Sequence, residues 1–221
     1  MFLKRVNPDQ FPHGAITPAD WDLLCRSLER AARLAKRSKF GVWFIEVGTL
    51  SAKTTEGIVK VLDYCEVKTH VLTIDKSPGS QEMFDRRLKA WRGFPLVSFS
   101  LGYTRDALKE FKDDIAWAFI DGCHCAGCVW DDIRCIAPHV IPGGMMVFHD
   151  ADPRNRALGM TVHKRYHGDG VTRLYGVNRA ISCAEEMQDF DLVESVPAIE
   201  RPPGSPTPIF GGAAWFVKRE S

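Results

Sequence analysis

Two apolar runs, each closed by acid and imidazole groups, constrain this chain more than any other feature. Residues 116–120 are continuously apolar, follow Asp113 and Asp114, and lead into Asp121, Gly122, Cys123 and His124. Residues 145–148 repeat the design after the turn signal Pro142, Gly143 and Gly144, and lead into His149 and Asp150. Short apolar runs bounded by turn residues read as buried strands. Residues 129–137 between them suit a helix, and strand, helix, strand is the unit of a parallel sheet. Parallel neighbours end on the same edge, where open α/β sheets bind ligands. Asp121, His124, His149 and Asp150 are therefore expected to converge there. Two carboxylates and two imidazoles at one edge suit a divalent metal, a general base, or both. The plainer alternative is that Asp121 caps the next helix and His149 with Asp150 forms a polar strand exit.

The same alternation runs through the chain. Thr17, Pro18 and Asp20 form a helix start: Thr17 caps, Pro18 suits the first helical position, and Asp20 favours the positive end of the helix dipole. Trp21, Leu24, Leu28, Ala31, Ala32 and Ala35 follow at helical spacing. Residues 42–47 and 71–74 read as strands ending near Glu46 and at Asp75, and residues 96–100 as a third. Helices are expected over 54–64, 81–91, 105–111 and 176–187. Repeated alternation predicts an α/β fold with a doubly wound, mostly parallel sheet. Residues 190–199 and 212–218 are β-rich, and the proline-laden stretch between them cannot continue a strand, so a long-looped hairpin at one sheet edge is expected. Trp215 and Phe216 read as core. Residues 1–16 read as an N-terminal arm, 17–221 as a single domain, and 151–175 as a lid or substrate loop. Within that loop His163, Lys164, Arg165, Tyr166 and His167 are either solvated or contacts for a phosphorylated or acidic acceptor.

Bulk properties narrow the function class. A net charge of +1 gives no electrostatic case for nucleic acid or an acidic membrane as main partner. No apolar stretch approaches membrane-spanning length and the N-terminus has no signal-like core, so a soluble cytoplasmic protein is expected. Seven cysteines, four of them from Cys123 to Cys135, fit a reducing compartment better than a disulfide framework.

The strand ends suggest the ligand. Glu46, Val47, Gly48, then Thr49, Leu50 and Ser51, put a glycine where strand turns to helix, and backbone N–H groups there can hold a polar ligand. Leu50 occupies the second glycine position of the dinucleotide fingerprint, which weakens a nicotinamide reading. Asp75 stands where a carboxylate accepts hydrogen bonds from ribose hydroxyls, or else caps its loop. A nucleoside without a pyrophosphate fits both features.

Glu46-x-Gly48, Asp75, and the series Ile120, Asp121, Gly122, Cys123, His124, Asp132, Pro142, Gly143, Gly144, His149, Asp150 resemble the class I S-adenosylmethionine-dependent methyltransferases. The likeness is nearest to the macrocin and mycinamicin O-methyltransferase and cephalosporin hydroxylase-like subgroup. Gly176, Val177, Asn178, Arg179 and Ala180 resemble the helix that follows in that subgroup, and the likeness spans residues 40–218. It implies a Rossmann-like methyltransferase fold with a seven-stranded sheet whose last strand is inserted antiparallel. It also implies roles. Glu46, Gly48, Thr49 and Ser51 would line the methionine part of the cofactor, Asp75 with Lys76 beside it would hold the ribose, and Gly102, Tyr103 and Thr104 would flank the adenine. Asp121 would serve cofactor and metal alike, with Asp150 and His149 completing a divalent site for Mg²⁺ or Mn²⁺, and His124 would be the base. The implied reaction is methyl transfer to a hydroxyl of a small molecule or sugar, and a homo-oligomer is compatible with it. Two positions depart from the pattern. Ala52 replaces a frequent glycine, a change that is harmless at negative φ, and His149 stands where some members carry an acid, which shifts preference from Mg²⁺ toward metals that accept imidazole.

Two other classes compete. One is a non-catalytic nucleotide-binding module of the same fold. The other is a metal-binding protein built on the cluster Cys123, Cys125, Cys128 and Cys135, in which Cys125 and Cys128 have the spacing of one zinc hook but no second hook follows.

Overall fold

The computed structural model describes residues 16–38, 41–152, 176–200 and 209–220. The expected arm (except Ile16), most of the 151–175 loop with its basic residues 163–167, and the 201–208 linker lie outside the described residues. Strands and helices alternate as β1 (Trp43–Val47), α2 (Lys53–Tyr64), β2 (His70–Asp75), α3 (Pro78–Leu88), β3 (Leu96–Leu101), α4 (Thr104–Ala107), β4 (Ile115–Ile120), α5 (Ala126–Ile136) and β5 (Val140–His149), after an opening helix α1 (Pro18–Arg37). The chain continues through α6 (Gly176–Cys183), β6 (Phe190–Val196), the short β7 (Ile199–Glu200) and β8 (Ile209–Phe210), and β9 (Ala213–Lys218). The sheet has seven strands in the order β3-β2-β1-β4-β5-β9-β6. β1 to β5 run parallel, while β9 lies antiparallel between β5 and β6. The expected hairpin therefore exists with its second strand inside the sheet and its first at the edge.

Alternate residues of the central strands feed two cores. Phe44, Trp117, Phe119, Met145 and Val147 pack against α1 and α2 residues such as Leu24, Leu28, Ile58 and Leu62. Ile45, Ala118, Ile120, Met146 and Phe148 pack on the other face with Val129 and Ile133 of α5 and Val177 of α6. All six residues of β4 are buried, which is why it reads as an unbroken apolar run. Ile16, assigned from sequence to the arm, already packs against the first core.

Three local expectations are corrected. α3 begins at Pro78, whose fixed φ suits a first helical position, and stops at Leu88, three residues short of the expected end at Trp91. The 105–111 helix contracts to Thr104–Ala107. Pro142, Gly143 and Gly144 do not make a free turn: they lie inside β5, whose register against β4 shifts between Ile115 and Trp117, and Gly143 at φ 74 absorbs the extra length as a bulge.

Ala52 is the fourth correction. It caps α2 at φ 55, in the left-handed region, and is fully buried. The substitution for glycine is thus not conformationally harmless, because an L-residue there costs roughly 1–2 kcal/mol. Ala52→Gly relieves that strain at the cost of a freer unfolded chain, so we expect a net gain of roughly 0.5–1 kcal/mol in urea unfolding. A loss of stability in the variant contradicts the left-handed assignment.

Candidate active site

The turn after β1 is built by close approach. Gly48 N–H donates to the Ile74 carbonyl at 2.9 Å and Asp121 N–H donates to the Val47 carbonyl at 2.8 Å, locking the ends of β1, β2 and β4 together. Gly48 sits at φ 95, and a Cβ on it would fall 2.2 Å from the Asp121 carbonyl oxygen, so only glycine fits. Glu46 lies beneath this turn rather than on it. It is completely buried, and its Oε2 accepts from the Thr55 hydroxyl at 2.5 Å and the Thr73 hydroxyl at 2.7 Å. The Thr73 hydroxyl also contacts that of the buried Thr49. Burial pushes the Glu46 carboxyl up to about 8 against those two donors, so it holds a proton near neutral pH. Its Oε1 has no hydrogen-bond partner among the described residues. Ser51 is half-buried, and its carbonyl accepts from Arg87 Nε at 2.8 Å.

Asp75, at the end of β2, accepts backbone N–H bonds at both oxygens: Oδ2 from Leu50 at 2.9 Å and Oδ1 from Ser77 at 2.9 Å. It caps its loop, and because a carboxylate offers about four lone-pair sites it keeps acceptor capacity for ribose hydroxyls. The Gly102 N–H holds the Asp75 carbonyl at 2.9 Å, which brings the β3 exit alongside. Tyr103 there is exposed, with Lys76 Nζ 5.8 Å and the Arg105 guanidinium 5.1 Å from its ring. Thr104 is different. It is buried, and its hydroxyl donates to Asp132 Oδ1 at 2.6 Å, so it ties α4 to α5. Burial raises the Asp132 carboxyl to about 7 despite that bond.

The expected convergence at β4 and β5 is present. Ile120 pairs with Phe148, so register alone sets Asp121 beside His149. His149 Nδ1 lies 3.0 Å from Asp121 Oδ1 and 3.3 Å from Asp150 Oδ2. His124 faces both acids as well, with Nδ1 3.0 Å from Asp150 Oδ2 and Nε2 3.5 Å from Asp121 Oδ1. The former contact is close enough for charge pairing but is not aligned as a hydrogen bond. Asp150 adopts φ 53, a strained conformation that turns its carboxylate back toward the imidazoles. Side-chain exposure rises from 1% at His149 and 3% at Asp150 to 11% at Asp121 and 17% at His124, so His124 and Asp121 form the mouth and His149 the floor.

Sequence reasoning missed one member. Asp20 closes the α1 capping box with Thr17, and its Oδ2 also lies 3.4 Å from His149 Nε2, while its Oδ1 accepts the Gly212 N–H at 3.0 Å. Gly211, whose Cβ would come 2.6 Å from Asp20 Oδ2, must be glycine for this contact. The Gly211-Gly212 pair was the available signal that the chain passes close to another group.

Burial disfavours charge on His149, yet Asp121 and Asp150 outweigh it and raise its pKa well above the usual histidine range. Burial likewise opposes charging of His124, but the facing carboxylates of Asp121 and Asp150 push it up to about 9. The two acids resist burial through the imidazoles, which hold both carboxyls below their usual range. As it stands His124 therefore carries its proton at pH 7. Asp121, His124 and Asp150 present donor atoms all within 4.8 Å of one another, a set able to hold a metal ion. His149 lies behind this set.

Residues 45–151 match the family model described as a methyltransferase domain. No curated protein sequence matches the chain. Solved structures of the same fold include an O-methyltransferase from Bacillus cereus in complex with SAH, at TM-score 0.63 and 14% identity over 95% of this chain and 86% of that one. TomG of Streptomyces achromogenes, an O-methyltransferase of tomaymycin synthesis solved with SAM, matches at TM-score 0.60 and 17% identity over 90% of this chain and 80% of that one. The N-methyltransferase NodS of Bradyrhizobium japonicum, in complex with S-adenosyl-L-homocysteine, matches at TM-score 0.58 and 17% identity over 99% and 95%. These likenesses establish the fold, a Rossmann-like methyltransferase sheet, and span both oxygen and nitrogen acceptors. No helix among the described residues is long and apolar enough to cross a membrane.

The His124 shift has a testable sign. A histidine whose folded pKa is raised contributes stability that is complete below its unfolded value near 6.5 and is lost as pH rises through about 9. In metal-free protein we expect the His124 ring resonances to titrate near pH 9 by NMR, with its stabilising contribution disappearing over that window. Titration near 6.5 contradicts the pairing with Asp121 and Asp150.

Proposed function

We propose that this protein is an S-adenosylmethionine-dependent methyltransferase acting on a hydroxyl of a small molecule or sugar. The observation that carries the reading is the shared edge itself: the glycine turn at Gly48, the Asp75 carboxylate and the acid–imidazole cluster all sit at the carboxyl ends of adjoining strands, within the stretch that matches the methyltransferase domain model. The residues fit the cofactor. Asp75 retains acceptor capacity for a ribose, and exposed Tyr103 offers a face for an adenine. The bound cofactor supplies an already activated methyl group, so the protein's task is to aim a nucleophile at it in line.

Asp121 and Asp150 would hold a divalent ion, Mg²⁺ or Mn²⁺, which when bound lowers the pKa of an acceptor hydroxyl. Their two carboxylate oxygens lie within 4.8 Å of each other, a donor pair that fits such a hard ion. His149 is not a ligand in this reading. It sits on the floor of the site, bracing both carboxylates and Asp20. His124 takes the acceptor's proton at Nε2, the nitrogen with the longer contact. A cation held by these carboxylates would offset their negative charge and lower the His124 pKa, which would leave the ring able to accept a proton. The second reading makes His124 a ligand rather than a base, and the convergence of its nitrogen with both acids favours it.

Two measurements test these roles. Calorimetry should show binding of S-adenosylmethionine or its demethylated product, weakened by roughly 1–3 kcal/mol in Asp75→Ala, the cost of losing hydrogen bonds to a charged group. Absence of binding, with tight nicotinamide dinucleotide binding instead, contradicts the proposal. Across a panel of sugar and phenolic acceptors, His124→Ala should lower turnover by ~10²–10⁴ while Mn²⁺ affinity persists. Asp150→Asn should abolish the response to added ion. Loss of Mn²⁺ affinity in His124→Ala assigns it as a ligand instead, and full activity in chelator removes the metal from the account.

A further inference from the structure

Cys123, Cys125 and Cys128 lie on the loop that carries His124 and enters α5, and the methyl-transfer reading leaves them unused. Their three sulfur atoms lie within 4.8 Å of one another. Cys123 and Cys125 Sγ are 3.5 Å apart, and the Cys128 N–H donates to Cys125 Sγ at 3.4 Å, so Cys125 is the N-cap of an 11-residue helix. None of the seven cysteines is disulfide-bonded. Sulfurs that ligate one zinc ion at about 2.3 Å each stand about 3.8 Å apart in tetrahedral geometry, so this triplet is near that spacing already. The positive end of the α5 dipole favours anionic sulfur at this place. The second hook that the sequence appeared to require is thus replaced by a third sulfur from the same loop, while Cys135 lies a further two turns along α5 and is not part of the group.

We propose that Cys123, Cys125 and Cys128 form a binding site for a soft, thiophilic cation, with Zn²⁺ as its representative and a water completing four-coordination. The site is chemically distinct from the one at Asp121 and Asp150, because thiolates select soft ions and carboxylates select hard ones. On binding, three S–H protons pass to solvent and three metal–sulfur bonds form, with no change of oxidation state. The ion clamps the two residues flanking His124, fixing the loop that presents it at the mouth. This inference does not rest on the identity of the reaction.

The test is cobalt titration of the full reduced chain without oxygen. We expect one equivalent of Co²⁺ to produce sulfur-to-cobalt charge-transfer absorption, and Zn²⁺ to bleach it and to shield three thiols per chain from a thiol reagent, the number in the cluster. The band should vanish in Cys125→Ser and in Cys128→Ser, each shown folded by circular dichroism, and persist in Asp150→Asn. No charge-transfer band, a band that survives both cysteine variants, or a band lost in Asp150→Asn overturns the site. So does a chain that takes up no ion and only oxidises to a disulfide in air.

Discussion

A buried imidazole among three carboxylates is the constraint on which the rest of the structure depends. His149 contacts Asp121, Asp150 and Asp20 from the ends of β4, β5 and the start of α1, and Asp20 in turn holds Gly212 at the entry to β9. Removing one partner from such a group leaves a buried charge uncompensated, which typically costs about 3–5 kcal/mol. The arrangement therefore fixes the first helix, the central parallel strands and the inserted antiparallel strand to one point. It also gathers Asp121 and Asp150 at one sheet edge, with Asp121 nearer the mouth.

The arrangement orders the roles of the two histidines. The floor position of His149 makes it a brace, whereas His124, on a loop rather than in a strand, reaches the mouth. Both rings are strongly basic because both face acids. In the proposed reading, the chemistry at the mouth would depend on how much positive charge the site takes up.

Much of this was legible in the sequence. The strand ends at Asp121 and at His149-Asp150 were readable because β4 and residues 144–149 of β5 are buried, so residues 115–120 and 145–148 appear as unbroken apolar runs. Their convergence followed from parallel register. What stayed hidden depends on contacts between distant segments. Asp20 satisfies the local rules of a capping box, so nothing in its neighbourhood announces a second partner 129 positions away at His149. Glu46 looks like a ligand group at a strand end, but the pleat turns it inward onto Thr55 and Thr73. Nothing near Thr104 in sequence announces that its hydroxyl binds Asp132 of α5, 28 positions away. Ala52 gives no sign of positive φ because alanine seldom accepts it; the close packing of the β1 turn imposes it.

The central claim is that the Gly48 turn, Asp75 and the acid–imidazole cluster form one site for methyl transfer. Crystals of the protein with S-adenosylhomocysteine and Mn²⁺, read by anomalous scattering, test it most directly. The account predicts a manganese peak between the Asp121 and Asp150 carboxylates, ribose hydroxyls on Asp75, and the cofactor sulfur facing the His124 side of the cluster. Cofactor density away from the Gly48 turn, or a chain that excludes both ligands at saturating concentration, contradicts it.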